Sequence, residues 1–228
     1  MSEELTVAVL TGNHRYRVRP FHDFFNGLDG IKAYVQNFDE WLTAAGEDDD
    51  DEEERDSYDV TLFYTMLKGA PEGKSKECID HLFESGQPVF VLHHALLNCM
   101  SRGDRGMEPA EGDPWGEIIG LPDRRIGTED IWIGSYLVEV NKDHPASVGL
   151  DDFEISDETY GIGDCTDDCD VLLTTSKRGS MHTLAWTRVY KNSRVFCLQL
   201  GHDPKCWQNP AFQAVLKNGL QWCAGDPG

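Results

Sequence analysis

The polar and apolar positions divide the chain into two halves of different character. In the first half, Val89-Phe-Val-Leu92 is apolar at every position and follows a Gly86-Gln-Pro88 break. With no polar alternation, it reads as a strand buried on both faces, as in parallel sheets. Leu5 to Leu10 reads as the first strand, the alternating Ile31 to Gln36 as the second, and Tyr58 to Tyr64 as the third. Arg19 to Leu28 reads as a short helix with Pro20 in its first turn. Ser75 to Ser85 reads as a helix, with Ile79, Leu82 and Phe83 at helical spacing and Gly86 and Pro88 as its stop. Phe38 to Leu42 reads as a loop or short turn, Ser101 to Asp113 as a loop, and Pro114 to Gly120 as a helical turn.

The second half is mostly strand-like. Ser135–Val140, Asp152–Ile155, Val171–Thr175, Leu184–Tyr190 and Arg194–Leu200 have little helix between them. Asn209 to Cys223 closes the chain as a helix, with Pro210 at its start and Phe212, Val215, Leu216 and Leu220 on one face. Strands and helices alternating in the first half predict an α/β fold with a mostly parallel central sheet. Extra antiparallel strands follow in the C-terminal half. One domain over residues 1–228 suits the length, and no internal repeat divides it.

Composition narrows the partners. The net charge of −21 argues against nucleic acid and anionic membranes, both of which need a basic footprint. The same acidity suits a surface hydrated in high salt, so a halophilic source stays open. Residues 47–56 contain nine acidic side chains in ten, a self-repelling block expected to form a disordered surface loop. No apolar run approaches the roughly 20 residues that span a bilayer. The first residues carry no secretory pattern, and seven cysteines without framework spacing suit a reducing compartment. A cytoplasmic location is the expectation.

Polar groups cluster at apparent strand ends, where open α/β sheets bind ligands. His93 and His94 follow the central strand, at the position of a nucleophile elbow. His14 follows the first strand, Glu158 and Tyr160 follow Phe153 to Ile155, and His202 and Asp203 follow the last strand. Two or three histidines with a glutamate suit a divalent ion such as Zn²⁺, with His14, His93 and His202 as the candidate ligands. Without metal, the same groups suit general acid–base work near neutral pH. Trp132, Tyr160, Trp186 and Trp207 are candidate walls for a sugar ring. His144 before Pro145 reads as a turn, and Cys165-Thr-Asp-Asp-Cys169 as an acidic loop with free thiols. Glycine-rich dinucleotide and P-loop motifs are absent, as is Gly-x-Ser-x-Gly.

Taken in order, these landmarks resemble the ThuA-like (trehalose-utilisation) family. The resemblance rests on Thr-Gly-Asn-His14, Val-Leu-His-His-Ala95, Asp-His-Pro145, Asp-Glu-Thr-Tyr160, Ala-Trp-Thr-Arg188 and Arg194 through His202. Asn-Pro-Ala-Phe212 and Gly219-Leu-Gln-Trp222 complete it. It implies a flavodoxin-like three-layer sandwich of the class I glutamine amidotransferase type. In that fold the elbow normally bears a cysteine, so histidine here argues against glutamine hydrolysis. The resemblance also implies a role in the use of trehalose or a related sugar. It places the site at His14, His93, His94, Glu158, Tyr160 and His202, with His93, His94, Glu158 and His202 as the catalytic set. His14, Tyr160, Trp186 and Asp203 are expected to contact substrate. Two functions follow: a hydrolase or isomerase acting on a sugar or keto-sugar, or a non-catalytic sugar-binding or partner-binding module. A homo-oligomer stays open.

Overall fold

Burial on both faces of the first strands sets the architecture. In the computed structural model, which describes residues 4–44 and 55–225, β1 (Leu5–Gly12) buries Val7 and Val9 on one face and Ala8 and Leu10 on the other. It pairs in parallel with β2 (Ile31–Asn37) and β3 (Val60–Thr65). β4 (Val89–Leu92) lies parallel between β3 and β11 (Ser193–Leu198), fully buried as its unbroken apolar run predicts. From β11 outward the sheet turns antiparallel, through β10 (Thr183–Tyr190), β9 (Asp170–Thr174), β7 (Ile131–Val140) and β8 (Phe153–Tyr160). The nine-stranded order is β2-β1-β3-β4-β11-β10-β9-β7-β8.

Helices cover both faces of this single α/β domain. On one side lie α1 (Val18–Asn26), α5 (Pro204–Trp207) and α6 (Pro210–Cys223), with Phe21, Phe25, Trp207, Phe212 and Leu216 in the core. The stacked rings of Phe90 and Phe196, 4.8 Å apart, anchor α6 to the sheet, and Gly219 lets the helix approach them. On the other side α2 (Phe38–Ala44), α3 (Gly73–Ser85) and α4 (Trp115–Ile119) bury Trp41, Ile79, Leu82, Trp115 and Trp186. α3 stops at Gly86, whose φ of 87° is the left-handed cap that glycine takes without strain. α6 starts at Asn209, whose side chain accepts from the N–H groups of Ala211 and Phe212 at 2.9 and 3.4 Å.

Two segments differ from their expected form. Residues 38–44 form a helix rather than a loop. Asn37 Oδ1 accepts from the N–H of Asp39 at 2.8 Å, and Phe38 and Trp41, three apart, share the buried face. Within the expected loop 101–113, β5 (Met100–Gly103) and β6 (Gly106–Pro109) form a hairpin. Of its eight strand residues only Met100 is buried, so no apolar alternation marks them. Most of the acidic run 47–56 lies outside the described residues. Of its last two members, Arg55 is buried with its guanidinium against Asp56 and Cys78.

Truncating Phe90 to alanine removes one of the two stacked rings at the centre of the first core. The expected loss of stability is about 3–5 kcal/mol, measured by urea unfolding.

Candidate functional site

The site forms where β4 runs out. A fully buried strand must leave the sheet abruptly, and the chain turns at His93 into the short 3₁₀ segment His93–Leu97. His93 takes φ 53°, a left-handed conformation that costs a non-glycine residue of order 1 kcal/mol or more. Nearby contacts hold it there. Its Nδ1 lies 2.6 Å from the carbonyl oxygen of Gln199. A carbonyl only accepts, so Nδ1 carries the hydrogen and Nε2 faces the site. There Nε2 meets the hydroxyl of Tyr160 at 3.0 Å and Glu158 Oε1 at 3.4 Å.

Glu158 bridges two histidines. Its second oxygen lies 3.5 Å from His202 Nδ1. The His93 side chain is 1% exposed, Glu158 13% and His202 29%, so the group opens to solvent on the His202 side. Donor atoms of His93, Glu158 and His202 lie within 4.8 Å of one another, close enough to share one metal ion. The hydrogen bond from His93 Nδ1 to a backbone carbonyl is the outer contact that orients metal-binding histidines.

A deeper layer fixes His202. Asp157, 2% exposed, accepts from the N–H groups of Gly201 at 2.7 Å and His202 at 3.1 Å. The Gly201 carbonyl accepts from Trp207 Nε1 at 2.8 Å and from the Tyr64 hydroxyl at 3.1 Å. Gly201 has φ 125°, and a Cβ there would sit 3.0 Å from Leu92, so this turn tolerates only glycine without strain. Gln199 ties both sides together: its carbonyl holds His93, and its side-chain amide donates to the Glu158 carbonyl at 2.8 Å.

Burial and pairing compete for each proton. Burial opposes charge on His93, but the bond to Glu158 and the charge of Asp157 outweigh it and raise its pKa. Burial would raise Glu158, yet His93 and His202 hold it below the ordinary glutamate value. Burial, then the charge of Glu158, pushes the Tyr160 hydroxyl well up, so it stays a proton donor. His94 lies between His14 and Tyr64, each ring centre 4.2 Å away. Burial, then His93 and His14, drives its pKa well below the ordinary value. His14 is an exposed residue whose ring face is covered by His94; that burial, then His93, lowers its pKa.

The structure therefore brings together His14, His93, His94, Glu158, Tyr160 and His202. Glu158 and Tyr160 lie on β8 itself, which runs to Tyr160 rather than ending at Ile155. Two expected roles are corrected. His14 stacks on His94, and Glu158 supplies the third donor of the metal-sized cluster instead. Trp186 is fully buried among the residues of the second core, its indole donating to the Ile119 carbonyl at 2.7 Å, so it cannot touch a substrate. Asp203 caps α5 by accepting from the N–H groups of Lys205 and Cys206. His144 likewise caps its own turn, accepting from the N–H of Ala146 at 3.1 Å.

Sequence reading missed Asp157, Gln199, Tyr64 and an apolar ledge. Ile131 and Ile133 pair with Tyr160 and Glu158 across β7–β8 and so share their face; they are 40% and 60% exposed. The visible signals were a polar Gln199 inside an apolar run and the place of Asp157 in the Asp-Glu-Thr-Tyr160 motif. Cys99, the cysteine nearest in sequence to the elbow, is buried, and burial followed by Asp113 pushes its thiol up to about 12. It is unsuited to serve as a thiolate nucleophile.

The profile of the ThuA family, described as trehalose utilisation, matches residues 7–223. The chain belongs to the ThuA family. A ThuA-like protein from Parabacteroides merdae is 16% identical, with a TM-score of 0.69 over 97% of this chain and 90% of that one. A cytoplasmic protein from Salmonella typhimurium is 16% identical, with a TM-score of 0.63 over 96% of this chain and 99% of that one. A glutamine amidotransferase from Thermotoga maritima is 13% identical, with a TM-score of 0.53 over 96% and 98%. No functionally curated protein matches the sequence. These likenesses place this ThuA-family chain on the amidotransferase-like fold. Among the described residues, no helix is long and apolar enough to cross a membrane.

The opposed pKa shifts give a test by nitrogen NMR of the imidazoles. His93 is expected to titrate above pH 6.5, and His14 and His94 below it. The linked stabilities have opposite signs. The His93 contribution is present below its unfolded pKa and is lost as pH rises through the folded value. The His94 contribution is present above pH 6.5 and is lost as pH falls from there towards its folded value.

Proposed function

We propose that this ThuA-family protein is a carbohydrate-processing enzyme that moves protons on a sugar or keto-sugar at the His93–Glu158–His202 group. The observation that carries this reading is the carboxylate of Glu158 set between two imidazoles, 3.4 and 3.5 Å away, at the open edge of the sheet. The family's description, trehalose utilisation, supports a carbohydrate role. The ledge of Ile131 and Ile133 supplies an apolar surface for the C–H face of a sugar ring beside polar groups for its hydroxyls.

In this reading Glu158, ionised at neutral pH, takes a proton from the substrate or from an attacking water. Tyr160, which keeps its own proton, donates a hydrogen bond to the developing oxyanion or to His93 Nε2. His93 holds one tautomer through Gln199, and His202 is the more exposed group that meets the ligand. Hydrolysis and isomerisation both fit these roles. His93, Glu158 and His202 also suit a divalent ion such as Zn²⁺, which would polarise a carbonyl or activate water there. A second reading, sugar binding without turnover, is favoured by the same apolar ledge.

Turnover of a panel of disaccharides and keto-sugars should fall by roughly 10²-fold or more in His93→Ala, Glu158→Gln and His202→Ala. Unchanged rates in all three would overturn the assignment. Saturable heat of sugar binding with no product would select the binding module. Elemental mass spectrometry of protein purified without chelator should find near-stoichiometric divalent metal that is lost in the His93→Ala, His202→Ala double variant. Metal-free protein with full activity would leave acid–base chemistry alone.

A further inference from the structure

Away from the histidine site, the connection between β8 and β9 carries Cys165-Thr-Asp-Asp-Cys169. We infer that Cys165 and Cys169 form an oxidation site, in which Cys169 reacts with a peroxide and Cys165 resolves it to a reversible disulfide.

The geometry is specific to this pair. Each thiol is the largest single influence on the other's proton affinity, raising Cys165 and lowering Cys169. The turn between them is closed by the N–H of Cys169 donating to the Thr166 carbonyl at 3.0 Å. Both cysteines are partly open to solvent, whereas Cys78, Cys99, Cys197, Cys206 and Cys223 are buried. The Thr166 hydroxyl lies 3.6 Å from the Cys169 sulfur. Arg188 faces the same sulfur across Gly120: a point at the Cβ position of Gly120 lies 2.5 Å from Cys169 Sγ and 2.8 Å from Arg188 Nη1. Asp168 pairs with Arg188 at 3.0 Å on the solvent side.

These neighbours divide the labour. The Cys165 thiol, the Thr166 hydroxyl and the Arg188 charge stabilise a thiolate on Cys169 against burial and Asp168, bringing its pKa down to about 7. Cys165 is pushed up, chiefly by that same thiol contact, and keeps its proton. The Cys169 thiolate attacks one peroxide oxygen. The S–O bond forms as the O–O bond breaks, sulfur loses two electrons to the peroxide, and the leaving hydroxide is protonated to water. The Cys165 sulfur then attacks Cys169. The S–S bond forms as the S–O bond breaks, and the second water leaves with the Cys165 proton. A dithiol restores both thiols by exchange.

Both cysteines lie between Lys142 and Lys177, so trypsin leaves them on one peptide. Native protein is treated with dilute hydrogen peroxide at neutral pH, alkylated, digested and weighed. The expected product is this peptide two hydrogens lighter and unalkylated, formed before any change at the buried cysteines and reversed by a dithiol. In Cys165→Ser the reaction should stop at a sulfenic acid on Cys169 that dimedone traps. In Cys169→Ser, Cys165 should give no adduct. No lighter peptide together with no dimedone adduct in Cys165→Ser would overturn the inference. Equal trapping of Cys165 in Cys169→Ser would also overturn it.

Discussion

The exit of the buried strand β4 governs the rest of the structure. Val89 to Leu92 are enclosed on both faces and paired on both edges, so the next residue cannot continue in the sheet. The chain turns through a left-handed residue, and that residue is His93. The strain is sustained because the Gln199 carbonyl and the Glu158–Tyr160 pair converge on the imidazole from neighbouring parts of the sheet. The local cost of the turn is thus met by the contacts that orient the imidazole towards Glu158 and Tyr160.

Desolvation then separates the roles of residues that look alike. His93 and His94 are adjacent and both buried, yet their proton affinities move in opposite directions. His93 has Glu158 and Asp157 beside it, while His94 has two other imidazoles and Tyr64. Glu158 and Asp157 are likewise adjacent. The two histidines hold Glu158 as a carboxylate, whereas the more deeply buried Asp157 has its proton affinity raised by desolvation and spends its oxygens on the Gly201–His202 backbone. Alternation along β8 sends these two carboxylates to opposite faces of the strand, so one faces the site and the other supports it.

The central strand, the helix ending at Gly86 and the closing helix were legible because each carries a period or a stop signal with a direct steric cause. The β5–β6 hairpin was not, because its four-residue strands bury only Met100 and show no apolar alternation. The helix at 38–44 was missed because seven residues hold too few turns for helical spacing to show. Among candidate groups, the histidines after β1, β4 and β11 were legible from their place at strand ends, which a parallel sheet collects on one edge. Trp186 was misread because residue type alone does not say which face of a strand is covered.

By itself, the sequence determined the α/β alternation, the parallel core around β4 and the identity of the six polar groups gathered at its edge. These depend on short-range periodicity, proline and glycine stops, and family motifs that keep their order along the chain. Only the tertiary structure decided that Glu158 bridges His93 and His202, that His14 stacks on His94, and that Asp157 and Gln199 hold the frame. The physical reason is that these relations join residues far apart in sequence. Their distances are set by strand register and packing between distant elements, which local patterns do not encode.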